Sequence, residues 1–319
     1  MLRIAAAAMV FRAISALVAM FVGHAFPNTV ATAASELSSA SFGIYPLLTR
    51  EMSRVAGGII RSPATPALVV SWFAFAGAMV MMQRIAQLDT DGERAEGAAL
   101  LAAVFPFASA FGHANADALF LLFALTAFYG VRRGQWILGG IGGALATATL
   151  PAGILMLPAL AWTGWRSAGE SRMRLLIAIA ISACGFAGYL VYLYYLGGPA
   201  GGWGASTTAW GFRFNAAPWL PIRQLLTASL GRADTLNAVI ACAFLVAVPV
   251  VWWRFDGGYA LYMVAMLWLP LISGRLDGLG RACALLFPVF VLIAGLRWRI
   301  VLVATAVTSA MFYALVLAL

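Results

Sequence analysis

Phe105 to Phe120 reads FPFASAFGHANADALF, two apolar runs that meet at His113, Asn115 and Asp117. Side chains that carry protons or need hydrogen-bond partners are costly between segments of hydrocarbon length, so such a cluster is a site candidate by default. A polar turn that simply reaches water is the plainer reading. Both readings stand until the rest of the chain is weighed.

Around this stretch the chain is apolar to a degree no water-soluble domain shows. Hydrophobic residues make up 63% and charged residues 10%, with a mean hydropathy of +0.94, whereas a soluble domain has about a quarter of its residues charged. Lipid offers the backbone no hydrogen-bond partners, so long apolar runs must be helices, and the period-two alternation of an outer-membrane barrel is missing. The reading is an all-α, polytopic transmembrane helix bundle. Its 20 basic residues are all arginine and sit in short connections. The net charge of +9 therefore reads as topology and lipid-headgroup contact, and no nucleic acid partner is expected.

Apolar runs fall near 4–22, 64–83, 97–112, 116–131, 135–149, 152–165, 175–196, 236–253, 258–274, 281–296 and 300–318, which predicts about 11 spans. Arg3 ahead of the first run and small residues near Ala31 to Ser35 imitate a secretory leader, but Arg12 interrupts it, and the segment reads as an uncleaved span. Counted from a cytoplasmic N-terminus, Arg84, Arg94, Arg132, Arg133, Arg166, Arg172, Arg174, Arg254, Arg297 and Arg299 all fall in cytoplasmic connections, which leaves the C-terminus outside. The remaining arginines need another reason to be where they are.

One domain, residues 1–319, is expected, with outside loops at 23–63, 113–117, 197–235 and 275–281. In the first loop Ile44, Leu47, Leu48, Met52 and Val55 fall at helical spacing opposite Arg50, Glu51 and Arg54, the pattern of a helix lying in the membrane interface. In the third, Trp203, Trp210 and Trp219 suit the headgroup level. On the cytoplasmic side LDTDGERAEG (88–97) lacks the full calcium-loop pattern and reads as a solvated loop. GGIGGA (139–144) lacks the dinucleotide-binding glycine spacing and reads as close helix packing. Cys184, Cys242 and Cys283 form no CxxC pair, so neither a disulfide framework nor a metal site is expected.

Four blocks, in order, resemble the GPI second-mannose mannosyltransferases of class V type and their bacterial relatives, in the GT-C glycosyltransferase superfamily. ASFGIYPLLTR (40–50) resembles the family's FFPLYPLL block, FPFASAFGHANADALFLLFAL (105–125) its FP…YSESLF segment, and AWGFRFNAAP (209–218) the WGR…P of its large outside loop. LPLISGRLDGLGRACALLFPVFVLIAGL (269–296) resembles its block with an RY pair ahead of FPLF. The resemblance implies a GT-C-like fold in a bacterial plasma membrane. It also implies a polyprenyl-phosphate sugar donor, commonly mannose, used on the outside face without a further cofactor.

For such chemistry a carboxylate takes the acceptor hydroxyl's proton and arginine holds the leaving phosphate. The resemblance puts Arg281 on the family's arginine position, with Arg213 as the second phosphate candidate, and places Asp117 on a family glutamate. The family's Trp-Asp pair has no counterpart in residues 23–39, where only Glu36 and His24 could substitute for the aspartate. The arginine of its LTRxxG pattern corresponds to Leu150, and the tyrosine of RY to Ala282. Catalytic candidates are therefore Asp117 and Glu36, and substrate-binding candidates are Arg281, Arg213, Arg50, His113, Asn115 and Trp210.

Several of these carry a second reading: Asp117 and Asn115 as helix caps, Glu36 as a solvated carboxylate, Arg50 as a lipid-phosphate contact, and His113 as a neighbour's hydrogen-bond partner. The expected partners are membrane lipid, the polyprenyl-phosphate-linked sugar and a partner membrane protein. The leading function is transfer of a hexose from that donor to a lipid-linked or cell-surface acceptor. The departures support an alternative, a catalytically silent GT-C-like protein that binds a polyprenyl lipid or scaffolds a partner enzyme. A transporter would need paired broken-helix repeats, and the sequence has none.

Overall fold

The structure, a computed structural model, describes residues 6, 9–10, 43–55, 64–112, 114–209, 232–273, 279–296, 299, 301–302 and 305. Regular structure among them is helical throughout, with no strand. The α-helices are α1 (Ile44–Val55), α2 (Ala64–Ala86), α3 (Gly92–Val104), α4 (Asp117–Arg132), α5 (Trp136–Thr149), α6 (Leu157–Ala168), α7 (Arg172–Ala209), α8 (Arg232–Arg254), α9 (Gly257–Ser273), α10 (Leu279–Ala284) and α11 (Phe287–Ala294). Among the described residues three segments are each long and apolar enough to cross a membrane: Thr65–Ala86, Arg172–Tyr192 and Asn237–Arg254.

The shorter helices end where proline dictates. Phe105 is extended (φ −56°, ψ 138°) ahead of Pro106, and Leu150 is extended (φ −132°, ψ 130°) ahead of Pro151, as the clash of a proline ring with the preceding residue requires. In both cases a 3₁₀ segment follows, Pro106–Gly112 after α3 and Pro151–Met156 before α6. α3 and its continuation together extend about 34 Å at ordinary helical rises, comparable to a hydrocarbon core of about 30 Å. The break matters because it delivers the chain to the turn that holds Asn115 and Asp117.

α4 lies between α2 and α5 and is buried along most of its length. Small residues let the helices approach closely. A Cβ on Gly139 would meet the Val131 side chain at 2.9 Å, and one on Gly142 would lie 2.8 Å from the Ala127 nitrogen, so the GGIGGA run is a close-packing surface. Below it Phe128 stacks edge-on against Tyr259 and Tyr262, with ring centroids 5.7 and 5.3 Å away. By contrast α7 and α8 turn large apolar side chains outward, among them Ile177, Val191, Val246 and Trp253.

α1 forms where the sequence places an amphipathic helix, with Leu47, Leu48, Met52 and Val55 exposed and only Tyr45 buried. α7 runs on through Ala209, so the first part of the expected 197–235 loop is helical. α10 likewise takes Arg281 out of the expected 275–281 loop and onto a helix.

Candidate functional site

The turn at 114–116 and the first residue of α4 form one end of the bundle's central layer. Asn115 Oδ1 accepts from the Asp117 amide at 3.1 Å, satisfying one of the donors that every helix N-terminus leaves over. Asn115 is therefore the capping group of the pair. Asp117 stands inside the first turn, and its carboxylate is turned elsewhere.

It is turned to Arg281. The Nε and Nη2 of Arg281 both donate to Asp117 Oδ2, at 3.0 and 2.8 Å, across 164 positions of sequence. The two ends differ in burial: the Asp117 side chain is 8% exposed and that of Arg281 is 47% exposed. Among the described residues nothing donates to Asp117 Oδ1, and it is not among the buried polar atoms that lack a partner. One oxygen thus holds the cation.

A buried chain of hydroxyls ties this turn to α1. Tyr45 and Ser71 oxygens lie 2.8 Å apart, Ser71 Oγ reaches the Asn115 carbonyl at 3.0 Å, and Tyr45 OH reaches the Ala67 carbonyl at 2.8 Å. Two hydroxyl protons cannot serve three contacts. The Ala67 carbonyl belongs to a helix and has an amide donor four residues on, so the fully satisfied arrangement has Tyr45 donating to Ser71 and Ser71 to Asn115. Burial pushes the Tyr45 phenol up to about 12; the Ser71 hydrogen bond opposes that shift and the Asp117 charge adds to it.

Gly280, next to Arg281, has room for no side chain: a Cβ there would overlap the Phe107 ring and lie 2.6 Å from Asn237 Oδ1. Asn237 is 7% exposed and its Oδ1 has no hydrogen-bond partner among the described residues. Sequence reasoning passed over Tyr45, Ser71 and Asn237. Ser71 and Asn237 are single polar residues inside long apolar runs, the one cue that could have raised them.

Of the residues expected to form a site, Asp117, Asn115 and Arg281 come together. Arg50 lies on the exposed side of α1 and makes no hydrogen bond to that group among the described residues. Glu36, His24, His113, Trp210 and Arg213 lie outside the described residues. No protein-family model, curated protein or solved structure matches the chain. Among the described residues no three His, Cys, Asp or Glu side chains gather to hold a metal ion.

The opposite end of α4, about 22 Å away at 1.5 Å per residue, carries a second ion pair of different build. Arg132 Nη1 and Nη2 bond both oxygens of Asp89 at 3.1 and 2.8 Å, and Nη1 also donates to the Tyr259 hydroxyl at 2.9 Å. Both partners are mostly buried, at 18% and 11% exposed. Beside them Asp256 accepts from the Gly258 amide at 2.7 Å and the Thr163 hydroxyl at 3.1 Å. Asp89 is therefore a mostly buried anchor, which corrects the reading of 88–97 as a solvated loop at that residue; Asp91, Glu93 and Arg94 of the run are exposed, and from Gly92 it is helical.

Proposed function

We propose that the chain is a membrane-embedded glycosyltransferase of GT-C type. It moves a hexose, mannose by resemblance, from a polyprenyl-phosphate donor to a lipid-linked or cell-surface acceptor. In this reading the bundle crosses a bacterial plasma membrane about 11 times, with the N-terminus cytoplasmic, the C-terminus outside and the Asp117 end facing outward. The observation that supports it is the meeting of Asp117 with Arg281: the carboxylate and the cation required for inverting transfer from a lipid phosphate come from distant segments to one place.

The proposed chemistry uses both groups. Asp117 Oδ1 receives the proton of the acceptor hydroxyl as that oxygen bonds to the sugar's anomeric carbon. The bond from that carbon to the phosphate oxygen breaks, and its electron pair leaves with the phosphate. Arg281 holds the phosphate as its charge grows from about −1 to −2, an interaction stronger in the transition state than in the ground state. α1, with its exposed apolar side chains and Arg50, supplies a membrane-surface approach for a lipid-borne substrate.

The test incubates purified protein with labelled polyprenyl-phosphate mannose and candidate acceptors. Wild type transfers label, Asp117→Asn loses about 10²- to 10⁴-fold, the usual worth of a general base, and Arg281→Gln loses transfer as well. Transfer unchanged in Asp117→Asn overturns the assignment. One observation favours the silent alternative: Leu150, at the family's second arginine position, is 4% exposed within the core. That alternative predicts binding of the polyprenyl phosphate with no transfer to any acceptor.

A further inference from the structure

The ion pairs at the two ends of α4 are built differently, and the difference points to what the Asp117–Arg281 pair does. At Arg132 both guanidinium nitrogens engage both oxygens of Asp89, and a tyrosine hydroxyl closes the cluster. That is the two-point fork that fixes geometry as well as charge. At Arg281 two donors converge on one oxygen of Asp117, and the arginine is nearly half exposed while the aspartate is buried. The first pair holds helices together. The second leaves the cation at the surface, where an anion from outside can reach it.

We propose that the Asp117–Arg281 pair is operated by the donor: an incoming isoprenoid phosphate takes Arg281 from Asp117, and the carboxylate so released becomes the proton acceptor. The proposal rests on the transferase reading of this site and specifies its regulation. In the empty site the base and the phosphate holder neutralise each other, so an acceptor alone meets a carboxylate already engaged by a cation.

As the anomeric bond breaks, the second negative charge arrives on the phosphate oxygen and draws the guanidinium further from Asp117. The carboxylate therefore becomes free as the acceptor proton departs. Binding is ordered, donor before acceptor. The Asn115 cap and the Tyr45–Ser71 chain keep the Asp117 backbone in place while its partner leaves, so only the arginine has to move.

The test is a binding cycle with geranylgeranyl phosphate on the full-length protein in neutral detergent. The proteins are wild type, Asp117→Asn, Arg281→Gln and the double variant, with geranylgeraniol as the uncharged control. Competition for Arg281 predicts that Asp117→Asn binds the phosphate about tenfold more tightly than wild type. It predicts that the gain vanishes when Arg281 is already Gln, because the aspartate competes only through that arginine. An equal gain in both backgrounds reflects general field repulsion and overturns the exchange.

Asp117→Asn neutralises the ion-pair partner of a guanidinium that water already reaches and so folds. Unchanged or weaker affinity in that variant overturns the proposal even where Arg281→Gln cannot be purified. Phosphatidic acid giving the same pattern at the same concentrations shows a phospholipid-operated pair, and the donor-operated account falls. Sugar transfer is scored separately: the affinity pattern without transfer removes the transferase and keeps the exchange, and transfer with unchanged affinity does the reverse.

Discussion

Replacing either member of the Asp117–Arg281 pair breaks the same two hydrogen bonds, yet the two replacements have unequal costs. Arg281→Gln leaves a carboxylate that is 8% exposed without its cation, whereas Asp117→Asn leaves a guanidinium that is 47% exposed. Removing the partner of a fully buried charge costs about 3 to 5 kcal/mol. Solvent around the arginine screens the pair and lowers this to about 2 to 4 kcal/mol for Arg281→Gln. Asp117→Asn keeps the shape and strands a group that water already reaches, so it costs about 1 kcal/mol or less. The double variant removes the stranded charge and returns to within about 1 kcal/mol of wild type. Unfolding in mixed micelles with increasing denaturing detergent, followed by tryptophan fluorescence, measures all four proteins. Equal losses in the two single variants, or additive losses in the double, refute the burial asymmetry on which the site description depends.

Three further outcomes follow from the geometry. Asp89→Asn weakens the mostly buried Arg132 fork and lowers stability by about 2 to 4 kcal/mol in the same micelle assay, about as much as Arg281→Gln and more than Asp117→Asn. Gly43→Ala places a Cβ at φ +95°, overlapping the Ala148 carbonyl and 2.9 Å from that of Thr149, and lowers stability by about 2 kcal/mol or more in the micelle assay. Tyr45 has its phenol raised from 10.0 to about 12, so the stability it contributes is fully present below pH 10 and is lost as pH rises through 12. Unfolding midpoints recorded from pH 9 to 12 therefore fall more steeply in wild type than in Tyr45→Phe, and parallel curves contradict the buried phenol.

Much of the helix order was legible because apolar run length and pre-proline breaks are local properties. The runs at 116–131, 135–149 and 258–274 coincide to within a residue with α4, α5 and α9, since arginine, glycine and proline mark their ends. The loop at 197–235 was misjudged at its start: GGPAGG (197–202) has the composition of a turn, yet α7 continues through it.

The pairing of Asp117 with Arg281 was only half legible. The resemblance set both residues in one site, Asp117 as a catalytic candidate and Arg281 as a substrate-binding one, but no pattern in the chain brings position 281 to position 117; tertiary packing of α10 does. Asp89 shows the opposite failure, because an acidic run reads as solvated until a distant arginine and tyrosine are seen to enclose one member. The hydroxyl chain from Tyr45 was illegible for a similar reason, as a tyrosine and a serine in apolar runs carry no mark of their mutual distance.

The claim at the centre of this account is that a lipid phosphate seats against Arg281 at the Asp117 end. The most direct measurement irradiates the protein with a diazirine-tagged isoprenyl phosphate and maps the crosslinked peptides by mass spectrometry. The account predicts labels in 105–120 and 279–284, suppressed by excess untagged phosphate and reduced in Arg281→Gln. Labels confined to the Arg132 end around Asp89 and Tyr259, or spread over the outward faces of α7 and α8 and insensitive to competitor, would contradict it.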